Sequence, residues 1–422
     1  MSGATPPFPP RHKGEIPVTE LLAKASRSLL EVWGEEMFRN SGTTLEVLGQ
    51  RLIIFNRPAA IEAVLVTQAE SFAAKPPQLS KLLAPLMGQG LFIAEGARWR
   101  ARRPLTTAAM AELADGLDAV IAAWAAQWAA RPEGDTIELI GAMEQVSAEM
   151  LLRLLFGPAG DAAAAAQIMR LAHAYRAKIS GAGLITLMAL PDPLVRLRLG
   201  GDAKRIRAVV APLIARARKA GSGLIAALPA DAAAEEVISL FGMGHDALSG
   251  LLAATWFLLA EAPEVEAALH AELDSGAEDR PMTRAVLREA LRLYPPVPLI
   301  ARVAGRATQV PGMAVPQGSL AFVSPWLVHR HADHWEAPDE FRPARFLPGA
   351  PAPAPFTYLP FGLGPRGCVG EAFTLRAAEQ ALATLARRFR LARLPGRAPI
   401  PTAGLTLSLA LRLPMRLTRR TG

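Results

Sequence analysis

Cysteine occurs once in this 422-residue chain, as Cys368 within Phe361-Gly362-Leu363-Gly364-Pro365-Arg366-Gly367-Cys368-Val369-Gly370. A lone thiol excludes an intramolecular disulfide, a four-cysteine zinc site and a cysteine-held iron–sulfur cluster. Three roles remain: a buried structural cysteine, a nucleophile, or the single thiolate ligand of a metal. Glycines at 362, 364, 367 and 370, with Pro365, fit a tight turn lying close to something flat and large. The residues that follow read as a helix, which places the sulfur near a helix N-terminus. Free amides and the helix dipole stabilise an anion there, so a lowered thiol pKa is expected.

Hydrophobic residues make up 51% of the chain and aromatics only 6%. With alanine and leucine abundant, that balance favours helices over sheets. The length can bury a substantial core, and a single domain over residues 1–422 is expected, with residues 1–15 a flexible N-terminal segment. The prolines are scattered among the connections, and no repeat of fixed period is present. No run reaches the roughly 18 uninterrupted apolar residues of a membrane span. Met1 to Glu15 carries prolines and charges where a signal peptide would need an apolar centre. A cytoplasmic monomer without a membrane span is therefore the expectation. The net charge of +8 would suit nucleic acid, but no basic stretch is interleaved with stacking aromatics. A basic face for an acidic protein partner is the better expectation.

Along the chain, Leu45–Gly49 and Arg51–Phe55 read as short strands, and Pro58 to Val66 as a short helix. Phe72 to Gly90, with Pro76, Pro77, Pro85, Gly88 and Gly90, reads as mostly loop. Helices are expected within Arg98 to Leu155, Asp161 to Ser180, Gly201 to Ala227, Glu235 to Ala262, Pro263–Asp274 and Met282–Leu293. A last one should run from near Cys368 to about Arg388. Leu320–Val323 and Leu405–Leu409 look like strands. The apolar run Gly181 to Leu190 is too short to span a membrane and would be core or the lip of a ligand entrance.

The Cys368 segment closely resembles the haem-binding loop of the cytochrome P450 family, Phe-x-x-Gly-x-Arg-x-Cys-x-Gly. Phe361, Gly364, Arg366, Cys368 and Gly370 meet every fixed position. Further motifs occur in the family's order between about Leu45 and Leu409. The resemblance implies a mainly α fold with a minor β-sheet, and haem b (iron protoporphyrin IX) with Cys368 as the iron's thiolate ligand. It also implies partners for the two haem propionates: Trp99 and Arg103, from Trp-x-x-x-Arg on one helix face, then Arg302 and Arg366. Arg100 and Arg102 read as solvated. Glu289 and Arg292, three apart on a helix, match a structural triad completed by Arg345 of Pro343-Ala344-Arg345-Phe346. Ala344 stands where the family often has an acid.

Met243-Gly244-His245-Asp246-Ala247-Leu248 is similar to the family's Ala/Gly-Gly-x-Asp/Glu-Thr. By that resemblance Gly244 lets oxygen or substrate approach the helix. Asp246 and the residue after it deliver protons, but the threonine is replaced by Ala247. Leu240, Met243, Val297 and Leu299 would line an apolar substrate pocket with the Phe72 to Leu91 loop, suiting a lipid, terpenoid or polyketide-like molecule.

The implied activity is a haem-thiolate monooxygenase, fed with electrons by a ferredoxin or flavodoxin and its reductase. The partner would dock on Arg387, Arg388, Arg390 and Arg393 together with Arg100 and Arg102. Rival readings are a peroxide-dependent oxygenase and a non-catalytic haem-based ligand-binding protein. The spacing of His329, His331 and His334 does not repeat on one helix face, so no separate metal site is expected there.

Overall fold

Proline marks where many of the helices begin. The computed structural model describes residues 4–47, 49–112, 116–182, 191–230 and 232–420. Its helices are α1 (Val18–Arg27), α2 (Pro58–Glu62), α3 (Pro77–Met87), α4 (Gly96–Glu112), α5 (Leu117–Ala129), α6 (Leu139–Phe156) and α7 (Ala162–Ala182). They continue with α8 (Asp192–Ala220), α9 (Leu224–Ala227), α10 (Ala233–Glu261), α11 (Pro263–Asp274), α12 (Pro281–Leu293), α13 (Pro325–Val328) and α14 (Glu371–Arg388). Helices α2, α3, α8, α11, α12 and α13 carry proline at their first positions, where its missing amide would have no partner anyway.

The strands are β1 (Gly42–Val47), β2 (Gln50–Phe55), β3 (Thr136–Glu138), β4 (Ile300–Val303), β5 (Thr308–Val310), β6 (Met313–Val315) and β7 (Leu320–Val323). Near the C-terminus follow β8 (Phe389–Arg393), β9 (Thr402–Ala403), β10 (Leu407–Ser408) and β11 (Pro414–Arg419). The largest sheet has the order β1-β2-β7-β4, with β2 parallel to β7 and the other pairs antiparallel. The expected mainly α architecture with a minor sheet is what forms.

At the centre lies α10, packed against α6, α8, α12 and α14. It is long and apolar enough to cross a membrane by length and composition, but most of it is buried as the core helix. A Cβ on Gly244 would stand 3.2 Å from Leu151 Cδ2, so this glycine lets α6 approach α10 closely. At this position α10 faces a neighbouring helix.

Two expectations fail. The segment from Phe72 to Gly90 is not mostly loop, because it contains α3, with Leu82, Leu83 and Met87 buried. Pro77 opens that helix at a tolerated position, and Pro85 falls in its last turn. Nor are the described N-terminal residues loose. Ala4 bridges to Phe341, Tyr294 donates its hydroxyl to Pro7 O at 2.9 Å, and Arg11 pairs with Asp339 while lying 3.7 Å over the Phe38 ring. These contacts hold the segment where composition alone suggested flexibility. The apolar run at 181–190 falls almost wholly outside the described residues.

Behind the core, α12 carries a buried ion-pair network. Arg292 grips Glu289 through Nε and Nη2, both at 2.8 Å, and Arg345 Nε adds a bond at 3.1 Å. The remaining Arg292 donors reach the carbonyls of His329, Pro338 and Glu340 at 2.6–2.8 Å. Glu289 and Arg292 are fully buried, and this number of partners is what makes such burial tolerable. His329 takes a hydrogen bond from Leu359 N at 2.8 Å and faces Arg292 O. His331 and His334 stack at 4.4 Å and face the backbone oxygens of Asn40 and Asn56.

Candidate functional site

The chain reaches Cys368 through a loop whose backbone is held at several points. Cys368 N donates to Phe361 O at 2.8 Å, and Gly367 N to Gly364 O at 2.9 Å. Gly364 has φ of +66°, and a Cβ there would overlap the Leu65 carbonyl oxygen. Only glycine lets the loop lie against that carbonyl. Phe361 packs on the main core, and Gly370 forms the N-cap of α14.

The sulfur sits two residues before that cap, where Gly370 N donates to it at 3.3 Å. Solvent can reach Cys368, although protein surrounds it on most sides. Burial pushes the thiol up, and this outweighs the Gly370 amide, Arg103 and the Glu371 amide, which favour the anion. The expected lowered pKa is therefore overturned: a helix N-terminus does not offset desolvation here. A metal cation at the sulfur would reverse that balance, since a coordinating thiol loses its proton outright.

Around the loop the fold gathers cations. Arg103 Nη1 donates to Gly367 O at 2.6 Å. Arg366 Nη1 donates to Ala94 O at 2.8 Å, with its guanidinium 4.2 Å over the Trp99 ring. Arg302, on β4, is pushed down to about 10 by burial and by the Arg366 charge. Lys75 is pushed down to about 7 by burial, then by Arg366 and Arg302, with Glu95 opposing. Sequence reasoning missed Lys75. Its only signal was a lysine set between alanine and Pro76-Pro77, and only folding brings it to Arg302 and Arg366. Buried cations that depress one another are short of anions. A flat group with two carboxylates fits that shortage, as haem has.

Asp246, on α10, is a well-partnered acid. Arg176 Nη1 lies 2.7 Å and His245 Nδ1 3.0 Å from its Oδ1, while the Thr406 hydroxyl reaches Oδ2 at 3.4 Å. Burial would raise its pKa, but the hydrogen bond from His245 and the Arg176 charge hold the carboxyl below its ordinary value. Glu144 joins the cluster through His173 at 3.0 Å and Arg176 at 3.3 Å. Ala247 presents no polar atom to it.

Of the four residues assigned to a substrate pocket, Leu240 and Met243 stand three apart on α10 and so share a helix face. Met243 packs with Leu83, Met87 and Ile93, whereas Leu240 and Leu299 lie against the main core and Val297 is half-buried. A separate cavity of about 700 Å³ opens beside Lys75, Glu95, Val303 and Arg196, with Gln78, Ser80 and Lys81 of α3 also in its wall.

The expected basic face is also reduced. Arg102 is not solvated: it binds Gln89 O at 2.7 Å and the carboxylates of Glu236 and Glu235 at 3.1 and 3.4 Å. Arg390 and Arg393 pair with Glu266 and Glu261, and Arg387 donates to Leu273 O. Arg100, Arg387, Arg388 and Arg390 nevertheless remain exposed.

A mainly helical fold with a lone cysteine leading into a long helix is the arrangement that a single-thiolate metal site would use. Residues 38–175 and 195–417 match the family described as Cytochrome P450, and the chain belongs to that family. Cyclooctatin synthase of Streptomyces melanosporofaciens is 29% identical over 389 residues, 83% of each chain. Human Cytochrome P450 4V2 is 35% identical over 168 residues, 37% of this chain and 32% of that one. The crystal structure of a cytochrome P450 from Thermus thermophilus superposes with a TM-score of 0.73 at 25% identity, covering 90% of this chain and 92% of that one. The protein is an enzyme of P450-type monooxygenase chemistry, and membership in the family implies a haem cofactor.

Proposed function

We propose that Cys368 is the thiolate ligand of haem iron, with the propionates held by Arg103, Arg302, Arg366 and Lys75 beside Trp99. The reaction is insertion of one oxygen atom from dioxygen into a small apolar organic molecule, with electrons drawn from a separate ferredoxin or flavodoxin and its reductase. The observation that carries this reading is the meeting of one thiol and a set of anion-deficient cations around a single loop. Haem, when bound, supplies oxygen activation; thiolate donation favours cleavage of the O–O bond.

The chain's own residues do the rest. The Phe361–Gly370 turn fixes the sulfur, and the Gly370 amide directs a donor at it. Asp246 stays charged within its ion cluster, ready to pass protons toward the pocket. Met243 with Leu83 and Ile93 gives substrate an apolar wall. Exposed Arg100 and Arg388 offer an acidic donor its first contacts.

The test is the spectrum of the reduced carbon monoxide complex. Wild type should show the red-shifted Soret band of thiolate ligation, and Cys368→Ser should lose it. A histidine-type spectrum in wild type overturns the assignment. A peroxide-dependent oxygenase is the second reading, favoured by the missing hydroxyl at Ala247. Comparing turnover driven by reduced ferredoxin with turnover driven by hydrogen peroxide separates the two.

A further inference from the structure

Position 247 carries no hydroxyl, yet the fold brings one to the same face of α10 from 159 residues further along the chain, at Thr406. Gly404, Leu405 and Thr406 form the turn between β9 and β10, which lies along α10. Leu405 packs against Leu83, Met87 and Ile93, the cluster against which Met243 also packs. Leu407 O lies 3.9 Å from where a Cβ on Gly250 would stand, and Leu407 N is anchored to Pro296 O at 2.9 Å. Met243, Ala247 and Gly250 are spaced i, i+4 and i+7, so they share one helix face. The segment thus meets α10 beside Gly250 and shares the Met243 cluster at its other end, which brackets the position of Ala247. Within that stretch Thr406 Oγ1 donates to Asp246 Oδ2 at 3.4 Å.

The two oxygens of Asp246 are not equivalent. Oδ1 is held by Arg176 and His245, while Oδ2 has Thr406 as its partner. His245 lies between two oxygens, Glu144 O and Asp246 Oδ1, each at 3.0 Å, and so fixes the carboxylate on its Oδ1 side. The cluster meets solvent at His173, half-exposed and bound to Glu144. The charged and titratable groups gathered at Asp246 are thus those of Arg176, His245, Glu144 and His173.

We propose that Thr406 supplies the hydroxyl that Ala247 lacks, as the residue through which the Asp246 cluster passes protons into the pocket. The proposal rests on the monooxygenase reading above. In the step, Thr406 releases its hydroxyl proton toward the pocket and takes one from Asp246 Oδ2, so the hydroxyl ends as it began. Asp246, whose side chain keeps 17% of its surface exposed, first draws that proton from solvent, so the carboxylate too ends as it began. The hydroxyl is then a gift of tertiary structure to a helix that has none of its own at this position.

The test compares Thr406→Val, Thr406→Ser and the double variant Thr406→Val/Ala247→Thr as holoenzymes. Each is supplied with reduced ferredoxin, with limonene as the probe apolar molecule. Hydrogen peroxide released per dioxygen consumed should rise about tenfold or more in Thr406→Val, toward the range seen when a proton donor is lost. It should stay near wild type in Thr406→Ser and fall back in the double variant. An infrared titration of the Asp246 carboxyl in the resting protein gives a readout independent of turnover: its pKa should rise in Thr406→Val and return in Thr406→Ser. If valine disturbs the turn, Thr406→Ala provides the same comparison. Unchanged peroxide release and an unchanged titration in Thr406→Val overturn the proposal, as does a serine variant as leaky as valine. A wild type without ferredoxin-driven oxygen consumption would instead refute the monooxygenase reading, and the titration would still decide whether Thr406 bonds Asp246.

Discussion

Truncating Glu289 to alanine removes a carboxylate that accepts from Arg292 Nε and Nη2, from Arg345 Nε and from Arg342 N, all within 3.1 Å. Arg292 has no exposed surface, so its charge cannot turn to water once its partner is gone. The carbonyls of His329, Pro338 and Glu340 still hold one side of the guanidinium, but none of them supplies negative charge. Breaking a buried pair by removing one partner costs about 3–5 kcal/mol. Arg345 is partly exposed and keeps the carbonyls of Glu336 and Ala337, so it adds little to that loss. For a chain of this size such a cost should lower the thermal midpoint by roughly 3–6 °C. The assay is urea and thermal unfolding followed by far-ultraviolet circular dichroism, with Glu289→Gln alongside. Glutamine keeps the shape and loses the charge, so it isolates the electrostatic part. If Glu289→Ala unfolds within about 1 kcal/mol of wild type, the argument that this network holds α12 to the segment 336–345 is wrong.

Two further outcomes follow from the loop and its cations. Gly364→Ala forces an L-residue to φ of +66° against the Leu65 carbonyl, so it should cost about 1–3 kcal/mol from strain alone and weaken haem retention in a competition with apomyoglobin; unaltered retention would contradict the close approach. In the haem-free chain, Lys75→Met should be more stable than wild type at low pH, because folding depresses the Lys75 pKa from 10.5 to about 7. The unfolded chain holds that proton up to its higher pKa, so stability rises with pH between the two values. The methionine advantage should accordingly be full below pH 7, shrink above it, and vanish beyond pH 10.5. A pH-independent difference in urea midpoints would show that Lys75 is not titrating in this window.

The sequence by itself determined the helical architecture, the cysteine loop and the Glu289–Arg292 pair, because each is written in local pattern; Arg345, 56 residues from Glu289, joined them only through the family resemblance. Proline sets helix starts, glycine at 364 permits a backbone that other residues resist, and Glu289 and Arg292 meet because helix geometry puts i and i+3 on one face. What folding alone decided are relations between distant segments and the balance of opposing forces. That Gly244 lets α6 come close to α10 is visible only once the two helices are packed. The direction of the Cys368 shift depended on burial exceeding the pull of amides, and desolvation belongs to the surrounding protein, not to the ten residues of the loop. Arg102, Arg390 and Arg393 looked like a docking face because their carboxylate partners lie more than a hundred residues away in sequence. Thr406 carried no signal at all in its own neighbourhood. Its hydroxyl gains meaning only because the β9–β10 turn lies along α10 where Ala247 offers none, and side-chain chemistry delivered across a fold leaves no local trace in the chain that encodes it.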